Sequence, residues 1–497
     1  MLDKTATGWQ TLAAQLNFEG RAFINGRYVD ALSGLTRPTI NPANGKELAA
    51  IASCGTEDAE VAVRGARAAF ESGAWSGMSP MDRKMVLVRW AELIEKHADE
   101  LALLETLDVG KPISDTTQVD VPATVRTIRW SGEAIDKVYD EIPPTPADTL
   151  ALVQRLPLGV VAAIVPWNFP LSTTAWKLAP SLATGNSVIL KPATNTPLSA
   201  LFIAGLASEA GLPDGVLQVL PGPGSSLGRH LALHMDIDGL TFTGSTPVGK
   251  MLMEYSGQSN LKRTFLELGG KSPNIVFADA NLEKAAAMAA VAVFYNGGQT
   301  CTAGTRLIVE EKIQDRFLQM VVDKAKNWMP GNPIDPATAM GPMIDASQCR
   351  TVAEYIDIGH REGAELLFGG RQVLEETGGY YHEPSIFSGV NNAMRIAQEE
   401  IFGPVLSVIP FKTAEQAVQI ANDSIYGLAG AVWSNNINTA HRVAEAVRVG
   451  TMGINNYFGG DITVPFGGFK QSGNGRDKSI HAFHDYTELK TTWIEFD

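Results

Sequence analysis

The chain has 497 residues, 45% of them hydrophobic and 19% charged, which is ordinary for a soluble globular protein and long enough for two or three domains with sizeable cores. Its formal net charge is −14 and it has no Lys/Arg run, which argues against nucleic acid or an anionic membrane as the main partner. No apolar stretch reaches the roughly 18 residues of a membrane span, and the first residues lack a basic leader. Three sparse cysteines do not suggest a disulfide framework, so free thiols and a cytoplasmic location are expected.

In chain order, the first strong pattern is a helix from Ser79 to Pro112, broken once. Ser79 suits the cap, Pro80 the first helical position and Asp82 the positive end, while Gly110-Lys111-Pro112 stops it. The Pro-rich and then β-like segment 141–158 stands apart as an excursion. From Gly159 the pattern alternates. Apolar runs at 160–165, 187–190, 216–220, 240–242 and 274–277 read as buried strands. Helical patterns fill 171–184, 198–210, 224–234 and 246–257.

A second alternating block starts with RLIVE (306–310). It continues through a helix at 312–328, an apolar run at 405–411, helices near 413–422 and 437–447, and strands in AGAVWS and TMGINN. Alternation of this kind builds parallel sheets covered by helices on both faces. The expected fold class is therefore α/β with two such blocks meeting near 267–271. The tail TELKTTWIEFD is again β-like.

Several chemistries have no support. There is no HExxH and no CxxC, so a metal site by Cys/His spacing is not expected. There is no GxSxG elbow for a serine hydrolase. A strict GxGxxG is also missing; GSTPVG (244–249) follows a strand and opens a helix, where free backbone N–H groups either hold a pyrophosphate or simply make the turn. VPWNFP (165–170) stiffens Asn168, which either satisfies its turn or donates to an oxyanion. LELGGKS (266–272) sets Glu267 beside two glycines, as a solvated turn acid or a general base. EEIFGPV (399–405) carries Glu400, a helix-end acid or a ligand group. Cys301, in FYNGGQTCTAGTR (294–306), is a packed thiol or a nucleophile.

Together PWNFP, LKPAT, FTGSTPVG, LELGGK, GQTC, EEIFGPV and PFGGFKQSG resemble the NAD(P)-dependent aldehyde dehydrogenase superfamily over roughly 20–497. The resemblance implies that family's fold, with two parallel-sheet α/β domains and a β extension. It implies a cofactor domain at 1–140 and 159–267, a catalytic domain at 268–480, and an oligomerisation extension at 141–158 and 481–497. It implies Cys301 as nucleophile, Asn168 as oxyanion donor and Glu267 as the base for the deacylating water. Trp167, Lys191, Thr194, Gly244, Ser245, Gly249, Leu268, Glu400 and Phe402 fall at cofactor positions. Phe169, Thr173, Trp176, Thr300, Thr302, Phe458 and Phe466 fall along the aldehyde tunnel, with no catalytic metal.

A thiol of ordinary pKa is only partly ionised near neutrality, so the surroundings of Cys301 are expected to activate it. Many NAD-preferring relatives read Lys-x-x-Glu where this chain reads Lys191-Pro192-Ala193-Thr194. A neutral threonine does not repel a 2′-phosphate, so NADP is expected to be accepted beside NAD. The stretches SGEAIDKVYDE, VAAIVPWNFPL and TVPFGGFKQSGNGRDKSIHAF resemble bacterial dehydrogenases of γ-glutamyl-γ-aminobutyraldehyde, 4-guanidinobutyraldehyde and 4-aminobutyraldehyde, from polyamine and arginine breakdown. Asp120 and Asp461 are candidate partners for a cationic tail. The aromatic tunnel positions equally suit an aromatic aldehyde such as indole-3-acetaldehyde. A CoA-acylating relative would generally lack Glu267, and a non-catalytic one would lack Cys301. A homo-oligomer, dimer or tetramer, is expected from the β extension, because a lone two-stranded ribbon is marginal in water.

Overall fold

The computed structural model describes residues 4–497. Two seven-stranded sheets organise them. The first has the order Arg263–Glu267, Gly239–Thr243, Val160–Ile164, Ser187–Lys191, Leu217–Val219, Ala22–Ile24, Arg27–Val29. Its first five strands are parallel, and the last two form an antiparallel edge. The second has the order Glu365–Phe368, Ser385–Ser388, Val405–Phe411, Arg306–Glu310, Pro273–Val276, Ala429–Trp433, Thr451–Ile454, parallel except for its first strand.

Period-two geometry explains why these strands read as unbroken apolar runs. In Ser187–Lys191, Val188 and Leu190 pack into the core that holds Trp90, Leu171 and Leu201, while Ile189 faces the opposite core with Ala59 and Val63. In Arg306–Glu310, Leu307 and Val309 face one core and Ile308 the other. Truncating any of these aliphatic side chains to Ala should cost about 2–5 kcal/mol.

The helix from Ser79 splits into Pro80–Lys96 and Ala98–Val109, with the break at His97. The Ser79 side chain accepts from the Asp82 N–H, and Gly110 ends the second piece at φ 86°. Three expectations need correction. The strand in 274–277 belongs to the second sheet, between Arg306–Glu310 and Ala429–Trp433. The segment 224–234 is a wide turn at Gly224–Gly228 followed by a short helix, Arg229–Leu233, because two glycines and two serines hold a regular helix poorly. The helical stretch 312–328 has tight 3₁₀ turns at both ends of Gln314–Ala325.

The excursion and the tail meet as an antiparallel ribbon, Thr149–Pro157 with Thr487–Glu495. No helix among the described residues is long and apolar enough to cross a membrane. All three cysteines are free.

Candidate active site

A cavity of about 550 Å³ opens where the C-terminal edge of the first sheet meets the N-terminal edge of the second. Thr243 and Glu267 end strands of the first sheet and line it; Ala429 and Thr451 begin strands of the second and line it from the other side. Ligands of open parallel sheets commonly sit at such an edge.

This cavity gathers Trp167, Asn168, Phe169, Thr173, Trp176, Gly244, Ser245, Glu267, Thr300, Cys301, Thr302, Glu400, Phe402, Phe458 and Phe466. Lys191, Thr194, Gly249 and Leu268 lie outside its wall. Lys191 is buried at the end of its strand, donates to the Pro192 carbonyl at 2.9 Å, and is pulled down to about 8 by burial. Thr194 donates to the Gly222 carbonyl at 3.3 Å. Gly249 packs under Leu268, where an added Cβ would come within 2.7 Å of the leucine side chain.

Cys301 is partly buried in a loop with unusual backbone. Asn296, Gly297 and Gly298 all have positive φ, at 50°, 62° and 72°. Glycine meets that demand at little cost, and Asn tolerates it. Gly298 also has no room for a side chain, since a Cβ there would lie 2.2 Å from the Gly403 carbonyl oxygen. The Gln299 side chain ties the loop down, donating to the carbonyls of Asn296 and Pro342 and accepting from the Ile344 N–H. Asn168 Nδ2 donates to the Gln299 carbonyl at 2.8 Å, and Asn296 Nδ2 donates to the Asn168 carbonyl at 3.1 Å. This exchange fixes the Asn168 amide beside the thiol loop and leaves its second N–H proton uncommitted.

Glu267 is 2% exposed, so the solvated-turn alternative fails. Its Oε1 is buried without a well-formed hydrogen bond. The carboxyl nevertheless neighbours the Cys301 thiol closely enough for each to shift the other. Burial pushes Glu267 up to about 8; Lys177 opposes the rise, while Asp477 and Glu400 add to it. The thiol is pushed well above its ordinary value, first by burial and then by the charges of Glu267 and Glu400. The expected activation of Cys301 is therefore corrected. Apart from the Thr302 N–H, its surroundings favour the neutral thiol, and the neighbouring Glu267 can take the thiol proton only when it is itself ionised.

Glu400 accepts from the Gly270 N–H at 3.0 Å and is raised to about 7 by burial. Gly269 leaves room for that carboxylate, because a Cβ would sit 2.1 Å from a Glu400 oxygen. Phe402 has φ 58° and meets Trp167 edge-on, with ring centroids 5.2 Å apart. Gln348 pins that turn by donating to the carbonyls of Ile401 and Phe402.

Residues that sequence reasoning missed complete the picture. Lys177 and Asp477 form a buried pair at 2.8 and 2.7 Å near Glu267. The signal was a lysine that is the one charged residue of the helix Pro170–Ala183. Tyr295, Tyr457 and Lys478 also line the cavity. Asp120 reaches its wall, but it is 1% exposed and already holds Lys111 at 3.0 and 2.8 Å. Lys111 in turn lies 3.4 Å from the Phe169 ring centroid. Asp461 is exposed, 3.4 Å from Arg126 and outside the cavity lining. Neither aspartate is a free partner for a cationic tail.

Elsewhere, His230 and His234 sit one helical turn apart and share a Glu60 oxygen, at 2.9 and 3.3 Å. The absence of HExxH and CxxC did not reveal this pair, although the HLALH spacing shows it. The Asp236 N–H donates to His234 Nδ1, so the ring proton is on Nε2 and that nitrogen offers a metal no lone pair. The arrangement is a hydrogen-bonded clamp between Thr56–Glu71 and Arg229–Leu233.

Two α/β sheets with a cysteine, an amide and a buried acid converging at their junction define a class of covalent-catalysis enzyme. The chain belongs to the aldehyde dehydrogenase family, which it matches over residues 28–492. It is 52% identical to the NADP/NAD-dependent aldehyde dehydrogenase PuuC of Escherichia coli (strain K12), over 98% of both chains. It is 60% identical to the P. syringae indole-3-acetaldehyde dehydrogenase AldA, solved with NAD+ and IAA, at a TM-score of 0.98 over 99% of this chain and 100% of that one. It is 54% identical to the γ-glutamyl-γ-aminobutyraldehyde dehydrogenase of Burkholderia cenocepacia J2315, with the same TM-score and coverage. The protein is an NAD(P)-dependent aldehyde dehydrogenase.

The residues present fit that cofactor. The helix Thr246–Gln258 presents its start to the cavity through Ser245, without a side-chain cap. Thr243 Oγ1 is buried, lines the cavity and lacks a partner. Glu400 spends only one oxygen on Gly270.

Proposed function

We propose that this enzyme oxidises an ω-amino, guanidino or γ-glutamylamino aldehyde of polyamine and arginine breakdown to its carboxylic acid. One observation carries the mechanism: Cys301, Asn168 and Glu267 line one cavity, with Glu267 held near a pKa of 8. Glu267 takes the thiol proton, and Cys301 adds to the aldehyde carbonyl. The resulting oxyanion is stabilised by Asn168 Nδ2 and the Cys301 N–H. When bound, NAD(P) supplies the acceptor for the hydride, which leaves the acyl group as a thioester on Cys301. After releasing the thiol proton to solvent, Glu267 removes a proton from water, the water attacks the thioester, and the acid departs while the Cys301 sulfur regains a proton from Glu267. A carboxyl poised near the working pH suits both proton transfers.

Trp167, Lys191, Thr194, Gly244, Ser245, Gly249, Leu268, Glu400 and Phe402 hold the cofactor in this reading, largely through 1–140 and 159–267. Residues 268–480 form the catalytic domain and supply Cys301, while Asn168 and Glu267 reach it from the cofactor domain. The ribbon of 141–158 and 481–497 joins subunits into a dimer or tetramer; exposed Leu156, Leu489 and Trp493 on that ribbon favour a covered face. A cytoplasmic location agrees with three free cysteines.

The substrate class is supported by the similarity to the Burkholderia γ-glutamyl-γ-aminobutyraldehyde dehydrogenase and by polar groups along the cavity. A second reading, indole-3-acetaldehyde, is favoured by the aromatic walls and the AldA similarity. Comparing kcat/KM for γ-glutamyl-γ-aminobutyraldehyde, 4-guanidinobutyraldehyde, 4-aminobutyraldehyde, indole-3-acetaldehyde and propanal decides between them. A preference for propanal sinks both readings, and a preference for the indole aldehyde sinks the first.

A further inference from the structure

Lys478 is the cation of the aldehyde cavity. It lines the wall, and its ammonium lies 4.4 Å from the Trp176 ring centroid and 5.2 Å from that of Phe466. Those rings are themselves 5.2 Å apart. Cation–π contact of this kind holds an ammonium in place. It does not neutralise it. Among the described residues, no hydrogen bond or ion pair engages Lys478 Nζ.

The acids that surround it are committed elsewhere. Asp477 is spent on Lys177 in a buried two-bond pair. Asp461 pairs with Arg126 at the surface. Glu267 faces the Cys301 thiol. Burial pulls Lys478 below the ordinary lysine value, and the charges of Asp477, Asp461, Glu267 and Cys301 only oppose that pull at a distance. A half-buried ammonium with π faces but no anion is a site short of one partner.

The backbone shows that this side chain is aimed. Lys478 and Ser479 both have positive φ, at 62° and 53°. Each such non-glycine residue costs about 1–2 kcal/mol. The turn persists because it is pinned on both sides: Asp477 and Phe466 exchange two backbone hydrogen bonds of 2.7 Å, and the Ser479 N–H donates to the Ile462 carbonyl at 2.7 Å.

We propose that Lys478 is a specificity-determining residue, which pairs with a carboxylate at the far end of the aldehyde and so selects anionic or zwitterionic tails over purely cationic ones. This inference rests on the proposed function and narrows it. Of the aldehydes considered, γ-glutamyl-γ-aminobutyraldehyde carries such a carboxylate. The guanidino and amino aldehydes carry only a cation, which Lys478 repels. The aromatic faces that would hold an indole or a cation are already covered by the lysine's own ammonium.

The test is the ratio of kcat/KM for γ-glutamyl-γ-aminobutyraldehyde to that for 4-guanidinobutyraldehyde, in the wild type, Lys478→Met and Lys478→Arg. Methionine keeps the apolar stem and removes the charge. A charge-assisted hydrogen bond of this type corresponds to roughly 10–100-fold. The ratio should fall at least about tenfold in Lys478→Met, mainly through a higher KM for the glutamyl substrate. Lys478→Arg should restore it to within a few-fold. A ratio that is unchanged or higher in Lys478→Met overturns the proposal, as does an arginine variant that behaves like methionine. The broader substrate reading fails separately, when the wild type prefers propanal to every polar aldehyde.

Discussion

Lys177 donates two hydrogen bonds to Asp477, at 2.8 and 2.7 Å, and both members of this buried pair act on the pKa of Glu267. They act in opposite directions. The lysine lowers the Glu267 pKa and the aspartate raises it, while burial dominates and leaves the carboxyl at about 8. A base must be deprotonated to work, so turnover limited by deacylation should rise with pH through that value. Lys177→Met removes the favourable charge and leaves Asp477 uncompensated. The rising limb of kcat against pH should then move alkaline by roughly one pH unit. Asp477→Asn should move it in the acid direction. A structural role alone would lower kcat in both variants without displacing the limb in opposite senses.

Asn168 gives a cleaner loss. Its Nδ2 is already held by the Gln299 carbonyl, so its remaining proton is pre-aimed. Removing one such donor typically costs 10²–10³ in kcat, about 3–4 kcal/mol. Asn168→Ala should show that loss in kcat, with NADP binding by fluorescence titration nearly unaltered. A drop of less than tenfold would remove Asn168 from the oxyanion site.

Cofactor choice turns on Thr194. It is half-buried, donates to the Gly222 carbonyl, and carries no charge to repel a 2′-phosphate. Thr194→Glu places a carboxylate there. The ratio of kcat/KM with NADP to that with NAD should fall by at least tenfold, since like charges in close contact cost on the order of 1–3 kcal/mol. If the ratio holds steady, Thr194 does not face the phosphate position.

Much of this was legible in the sequence because local rules and global fold agree. The five parallel strands of the first sheet lie in a covered layer, and four of them, 160–164, 187–191, 217–219 and 239–243, announced themselves as apolar runs. Arg263–Glu267 did not, because it begins with Arg and Thr and ends on the functional acid. The edge strands Ala22–Ile24 and Arg27–Val29 are three residues each, too short for a period to show. At the site, motif order pointed to Cys301, Glu267 and Asn168. Burial was not legible: the enclosure and the acids Glu267 and Glu400 that hold the Cys301 thiol up come from residues distant in sequence, and the Lys111 pair that occupies Asp120, though only nine residues apart, forms only because both side chains are buried. Lys478 was hidden for the same reason, since its aromatic partners lie at 176 and 466.

The thiol loop offers the sharpest steric test. Gly298 combines φ 72° with a missing side chain whose Cβ would stand 2.2 Å from the Gly403 carbonyl oxygen. Backbone atoms cannot rotate away as a flexible side chain can. Gly298→Ala therefore pays about 1–2 kcal/mol for its conformation and must also push apart the loops that carry Cys301 and Glu400. Gly257 is a useful contrast. It lies in the helix Thr246–Gln258 with nothing within 4 Å of its Cβ position, and φ there is not positive. Gly257→Ala should be neutral or stabilising by about 0.5–1 kcal/mol. Gly298→Ala should lower Tm by a few degrees and cut kcat by more than tenfold, because a displacement of about 1 Å at a nucleophile can cost 10²-fold. Thermal melts and single-turnover rates on the two variants decide the matter; equal behaviour would mean that the loop can relax and that its left-handed turn does not position Cys301.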